Sequence, residues 1–278
     1  MFMTQPCLET KNLWYSYPDS PAALCGLSLT IAAGDFVALV GQNGSGKTTL
    51  AKHFNGLLRP TQGGVFLDGK DISGTPVSHL ARSVGYVFQN PDHQIFNATT
   101  RQELAAGPGH LGLSKAEIDR RVDEALDLFR LAAYADRQPA LLSFGLRRKI
   151  SIAAVYTMQT PILILDEPTA GLDHKSITEL MQLLLHLHRQ GRTIILITHD
   201  MRVVAEYAPR CLVLQQGQCL AFDETRAVFR QVDLLRQTHL DTPQITQLSW
   251  RLAAHGLPDP LLTVKEFCHE YNRLLGNR

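Results

Sequence analysis

Phe36-Val37-Ala38-Leu39-Val40-Gly41-Gln42-Asn43-Gly44-Ser45-Gly46-Lys47-Thr48-Thr49 decides the fold. Phe36 to Val40 is a short apolar run and reads as a buried strand. Gly41 to Thr48 matches G-x-x-x-x-G-K-[ST]. Thr49 to Asn55 continues as a helix, with Gly56 placed to stop it. Strand, glycine loop and helix in this order form the setting of a phosphate-binding loop. The glycines let backbone N–H groups close on phosphates, and the helix N-terminus adds positive dipole. Lys47 supplies a point charge and Thr48 a hydroxyl for Mg²⁺. The competing reading is a glycine-rich turn with no ligand. Lys47, Thr48 and the correct flanks disfavour it. Gly41, Asn43, Gly44, Ser45, Gly46, Lys47, Thr48 and Thr49 are therefore the candidate phosphate-holding residues.

The next informative stretch is Ile162-Leu163-Ile164-Leu165-Asp166-Glu167. An apolar strand ending in two carboxylates places charge at the C-terminal edge of a parallel sheet, where ligands bind. Asp166 would hold Mg²⁺ through its water shell. Glu167 would orient or deprotonate an attacking water. The bland alternative is an exposed turn before Pro168. Thr198-His199-Asp200 closes the following strand on the same edge, within reach of a terminal phosphate. Alone, His199 would be an ordinary strand-end histidine; beside the other two motifs it is a candidate for the site.

Around these motifs, short apolar strands alternate with helical segments, which predicts a parallel α/β core. Residues 8–40 read as antiparallel strands ending in the strand before the glycine loop. Residues 91–145 read as a helical insertion, with Ser114-Lys115-Ala116-Glu117 as a capping box opening one helix. Cys211–Leu214 and Cys219–Phe222 predict a hairpin. Residues 227–278 form a mostly helical tail punctuated by Pro243, Pro258 and Pro260.

The bulk composition excludes several classes. Basic and acidic residues number 27 and 26, so no global charge favours nucleic acid or anionic membrane. No apolar run is long enough to span a bilayer. Residues 1–12 carry Pro6, Glu9 and Lys11 and lack a signal-peptide core, so the chain is expected in the cytosol. The five cysteines are scattered, without CxxC spacing, and read as reduced thiols with no disulfide or zinc frame. His186 and His188 lie two apart on a helix and cannot share one ion; both are expected at the surface.

The set as a whole resembles the ATP-binding cassette (ABC) ATPase subunits of membrane transporters, over residues 8–225. The resemblance implies a P-loop NTPase (RecA-like) parallel sheet with an antiparallel β subdomain, a helical insertion and a small C-terminal helical domain. It divides the chain into a cassette, 1–226, with a helical subdomain at about 91–145, and an appendage, 227–278. It implies ATP and Mg²⁺ as ligands. It adds Tyr17, in Tyr15-Ser16-Tyr17-Pro18, as the aromatic that stacks on adenine, with ordinary strand packing as the alternative. It adds Gln89, in Val87-Phe88-Gln89-Asn90-Pro91, as the glutamine that senses Mg²⁺ and the transmembrane partner. Thr48, Gln89 and Asp166 are then the metal-facing set. Glu167, His199, Gln89 and Lys47 are the catalytic set. Leu172-Asp173 matches the loop that crosses the dimer interface.

The family signature usually reads L-S-G-G-Q; this chain has Leu142-Ser143-Phe144-Gly145-Leu146. Ser143 and Gly145 are retained as donors to the nucleotide of a second subunit, while Phe144 and Leu146 depart. The following Arg147-Arg148-Lys149 reads at least in part as a solvated helix face. The resemblance implies a dimer with a second ABC ATPase subunit, the same or paralogous.

Phe88-Gln89-Asn90-Pro91-Asp92-His93-Gln94-Ile95-Phe96 resembles a stretch of the energy-coupling factor (ECF) importers of vitamins and cobalt or nickel. Thr242-Pro243-Gln244-Ile245-Thr246-Gln247-Leu248 resembles their C-terminal segment. That branch implies a transmembrane scaffold, a separate substrate-capture membrane protein, no nucleic acid, and a peripheral position on the cytoplasmic face of the membrane. The alternatives are another ABC transporter's ATPase or a soluble ABC ATPase. A single cassette, no heptad tract and no basic excess argue against the last.

Overall fold

A computed structural model describes residues 6–240 and 242–276. Residues 1–5, the start of the stretch read above for a leader, lie outside the described residues, as do Asp241 and the last two residues of the tail. β1 (Pro6–Ser16) and β2 (Ala22–Ala32) form an antiparallel ribbon. β3 (Phe36–Val40) leaves it and delivers the glycine loop to α1 (Lys47–Phe54). β4 (Gln62–Leu67) and β5 (Lys70–Asp71) return to complete a four-stranded sheet in the order β2-β1-β4-β5.

The expectation that residues 8–40 form one antiparallel run is corrected at β3. All five β3 residues are buried, whereas β2 alternates buried and open positions along much of its length. A strand covered on both faces belongs inside a parallel sheet. β3 accordingly lies in the second sheet.

After α2 (Val77–Leu80), that sheet gains β6 (Val84–Val87). α3 (Thr100–His110), α4 (Lys115–Leu128) and α5 (Phe144–Tyr156) follow. Then come β7 (Ile162–Asp166), α6 (His174–Arg189), β8 (Thr193–Ile197), α7 (Met201–Tyr207) and the hairpin β9 (Arg210–Gln215) with β10 (Gln218–Glu224). The six-stranded order is β10-β9-β3-β8-β7-β6, with β9 to β6 parallel and β10 an antiparallel edge. The chain therefore has the P-loop NTPase architecture of a parallel sheet flanked by an antiparallel one.

Alternate residues of the central strands feed opposite cores. Ala38, Val40, Leu163, Leu165 and Leu196 pack with the helical side. Val37, Leu39, Ile164, Ile195 and Ile197 pack against β1, β2 and α1. The C-terminal elements are α8 (Thr225–Arg230), α9 (Val232–Gln237), α10 (Gln244–Leu252) and α11 (Val264–Gly276). Val228, Phe229, Leu235, Leu240 and Leu262 join the helical-side core.

Local chemistry fixes several boundaries. Ser114 Oγ accepts from Glu117 N at 3.3 Å and caps α4. The reciprocal half of the expected capping box is replaced: the Glu117 carboxylate accepts from Arg120 and Arg121 instead. Asp173 caps α6 through Ser176 N at 2.7 Å. His186 is exposed as expected, but His188 is corrected to half-buried. Its Nε2 meets Gly34 O at 2.9 Å and its ring lies edge-on to Phe36. Cys211 and Cys219 pair with Asp223 and Leu214 across the hairpin and do not face one another. All five cysteines are free.

Candidate active site

The glycine loop is built by backbone geometry that side chains would spoil. Gly41 and Gly46 have φ of +153° and +103°. A Cβ at Gly41 would sit 2.3 Å from Leu214 O, and one at Gly46 2.7 Å from Ala23 O. The loop is thus clamped between β2 and β9, with its N–H groups left at the mouth of α1. Lys47 is buried, and its Nζ donates to Gly41 O at 2.8 Å and Gln42 O at 2.9 Å. Burial lowers the Lys47 pKa, while the Glu167 and Asp166 carboxylates pull it back up. Ser45 Oγ is buried without a partner among the described residues.

The carboxylate pair sits where β7 ends. Asp166 is 2 % exposed. Its Oδ2 accepts from Thr48 Oγ1 at 2.8 Å and from the Tyr86 hydroxyl at 3.0 Å. Burial raises the Tyr86 pKa first, and the Asp166 charge adds to it. Tyr86 was missed in the sequence: within Val84–Val87 it reads only as a strand aromatic, and its partner is 80 residues away. Glu167 turns out of the strand with φ of +48°, a left-handed conformation disfavoured for a side chain of this size. That turn aims its carboxylate at His199: Oε1 lies 2.9 Å from His199 Nδ1. Glu167 Oε2 is buried and has no partner among the described residues.

Tyr17, Asn43, Lys47, Thr48, Gln89, Asp166 and Glu167 line one cleft of about 320 Å³. Tyr17 hydrogen-bonds to Thr49 Oγ1 at 3.2 Å and packs edge-on to Tyr15, while 38 % of it stays exposed. His199 reaches the cleft only through Glu167. Its side chain is 70 % exposed and borders a second cleft between α7 and the tail.

Ser143 and Gly145 are not part of this cleft. Ser143 is exposed and caps α5 through Leu146 N at 3.5 Å. Within the Arg147–Lys149 run, expected to be at least in part a solvated face, Arg148 is the member that is not, being 1 % exposed. Arg148 lies one helical turn before Ile152 and two before Val155, on the buried face of α5. That spacing was the available signal; the two flanking charges masked it. Arg147 forms an ion pair with Asp92 at 2.8 Å, and Lys149 with Glu179 at 3.7 Å.

The donors meeting at Thr48, Asp166 and Gln89 are all oxygen-bearing groups suited to a hard divalent cation. The loop above them suits a polyphosphate. The arrangement can therefore hold a metal-bound nucleoside triphosphate beside a carboxylate able to accept a proton from water.

Comparison with known proteins agrees with that chemistry. The ABC transporter family model matches residues 24–170. The energy-coupling factor transporter ATP-binding protein EcfA of Methanothermobacter thermautotrophicus is 39 % identical over 272 residues, 97 % of this chain and 88 % of that protein. The cobalt import ATP-binding protein CbiO of Syntrophus aciditrophicus is 41 % identical, covering 95 % of each. The solved structure of cbiO1 from Clostridium perfringens, part of the ABC transporter complex cbiONQ, matches with a TM-score of 0.74. It is 37 % identical and covers 88 % of this chain and 98 % of that one.

Proposed function

The chain belongs to the ABC transporter family of ATP-binding subunits, and from that membership we propose that it is the ATP-hydrolysing energy-coupling subunit of an ECF-type importer. The observation that carries the ATPase reading is the run Thr48–Asp166, Glu167–His199 at one sheet edge, beside a buried Lys47. The ECF assignment rests on the relatives named above and on the Phe88–Phe96 and Thr242–Leu248 stretches.

The residues divide the work as follows. Tyr17 offers its exposed ring to adenine. Lys47 exchanges two loop carbonyls for phosphate oxygens, so its charge is never left bare in a buried site. Thr48, Asp166 and Gln89 hold Mg²⁺. When bound, the ion supplies neutralising charge at the phosphates. Glu167 takes the proton of the attacking water on Oε2, which has no partner among the described residues, and His199 fixes the carboxylate through Oε1. Ser143, Gly145 and the N-terminus of α5 serve the nucleotide of a second ABC ATPase subunit, identical or paralogous.

Contact with a transmembrane scaffold is supported by the surface next to Gln89. Phe96 is 82 % exposed, and an apolar groove lined by Leu57, Val77, Phe88 and Met158 runs along β6, the outer strand that leads into Gln89. Among the described residues no helix is long and apolar enough to cross a membrane. On the ECF-type reading the chain sits peripherally on the cytoplasmic face of the membrane, a separate membrane protein captures the solute, and residues 227–278 support dimerisation.

Glu167→Gln tests the chemistry. It keeps shape and hydrogen bonding but removes the proton acceptor. ATP turnover should fall by about 10² to 10⁴ with ATP binding retained. Turnover within about threefold of wild type would remove Glu167 from the role.

A further inference from the structure

Four contacts join the Gln89 loop to the helix that carries the signature residues, and a fifth braces the loop itself. Arg148 Nη1 donates to Phe88 O at 2.9 Å, and Nη2 donates to Gln89 O. Gln94 accepts from Phe88 N at 3.2 Å and donates to Ser151 O of α5 at 2.9 Å. Asp92 pairs with Arg147 at the helix rim. The Arg148 guanidinium also lies 5.4 Å from the Phe144 ring centroid. That ring covers Gly171: a Cβ there would stand 2.8 Å from Phe144 Cε1. A Cβ at Gly145 would reach Leu172 Cδ2 at 3.7 Å, an ordinary contact.

The physical weight lies in the Arg148 charge. A buried guanidinium is tolerable only while partnered. Among the described residues its hydrogen-bond acceptors are the two loop carbonyls, and its Nε has none. Burial lowers the Arg148 pKa, with the Asp166 and Glu167 carboxylates opposing it. If the loop left α5, it would strand a buried cation without its two carbonyl partners. Loop and helix therefore move as one body.

Resting on the reading of Gln89 and Ser143 as nucleotide-site groups, we propose that Arg148 is a positioning residue. It rivets the Gln89 loop to α5, so that a shift of Gln89 at this chain's own nucleotide displaces Ser143 and Gly145 at the partner's. Gln94 is the second rivet, and Phe144 extends the body to Gly171-Leu172. Two distant nucleotide sites are thereby linked through one buried cation in each subunit.

Amide hydrogen exchange on the full chain tests this, with Arg148→Lys and Gln94→Met as separate variants. Lysine can reach one carbonyl but cannot bridge two. Without nucleotide, exchange across residues 88–96 should rise about tenfold in both variants, with residues 36–40 and 162–166 unchanged. Unchanged exchange across 88–96 in the variants, or an equal rise everywhere, would overturn the rivet. Gln94→Met leaves the buried cation in place and decides the matter if Arg148→Lys does not fold. With Mg-ATP added, wild type should gain protection across both 88–96 and 142–150. Arg148→Lys should gain it across 88–96 alone, with kcat reduced about tenfold and KM for ATP within about threefold. Protection across 142–150 preserved in Arg148→Lys would overturn the coupling. If ATP protects neither stretch in wild type, the nucleotide-site reading fails, while the nucleotide-free comparison still decides the rivet.

Discussion

At the scale of single residues, His53 shows how a site element sets a pH dependence. His53 lies on α1, directly behind the glycine loop, and is 1 % exposed. Its Nδ1 meets Thr49 O at 2.7 Å, which requires the proton on Nδ1. Burial pushes its pKa below 6.5, against that hydrogen bond. The unfolded chain gains a proton as the pH falls through 6.5, and the folded chain does not. Stability contributed by neutral His53 is therefore lost on acidification, by at most about 1.4 kcal/mol per pH unit. Thermal unfolding of wild type and His53→Gln between neutral and mildly acidic pH checks this. The variant should lose less stability on acidification; equal losses would contradict the assignment. His53 carried no such signal in the sequence, because it is covered in part by Tyr15 of β1, whose ring packs edge-on to it. Lys47, Thr48, Asp166, Glu167 and His199 were legible because their spacing is local to a strand end. Tyr86 was not, because its partner is 80 residues along the chain, and Arg148 was masked by the charges on either side of it.

At the scale of elements, continuous apolar runs identified β3, β7 and β8 as buried strands. Which sheet β3 joins was not legible, since its neighbours β8 and β9 come more than 150 residues later. The signature motif shows the same division. Its capping serine is visible in the sequence, while the seat of Phe144 on Gly171 is a tertiary fact. Gly171 has φ of +75°, so alanine there pays for the left-handed backbone, about 1–2 kcal/mol, and collides with Phe144. Gly171→Ala should lower the unfolding temperature. Adding Phe144→Leu should recover the steric part, giving a coupling of about 0.5–3 kcal/mol in a double-mutant cycle. Strict additivity would mean that the ring and the loop do not bear on each other.

At the scale of the whole molecule, the C-terminal elements are tied to the nucleotide side of the cassette. Gln42, inside the glycine loop, donates to Thr238 O at 3.0 Å, and Gln215, at the end of β9, donates to Gln237 O at 3.3 Å. The sequence showed a helical tail but not these ties. They join a polar side chain to a distant carbonyl and leave no periodic trace. A tail held to the glycine loop, a Gln89 loop riveted to α5 and an exposed Phe96 together describe a part that transmits movement to something else. The function proposed above stands or falls on what that something is.

The direct measurement is affinity capture of this chain from detergent-solubilised native membranes, with ATP turnover of the captured complex and its partners identified by mass spectrometry. The reading advanced here predicts a small transmembrane scaffold and a separate substrate-capture membrane protein, with or without a second ATPase, and ATP hydrolysis by the assembly. A conventional pair of transporter membrane domains would place the chain in another ABC branch. Recovery without any membrane partner would contradict the energy-coupling role.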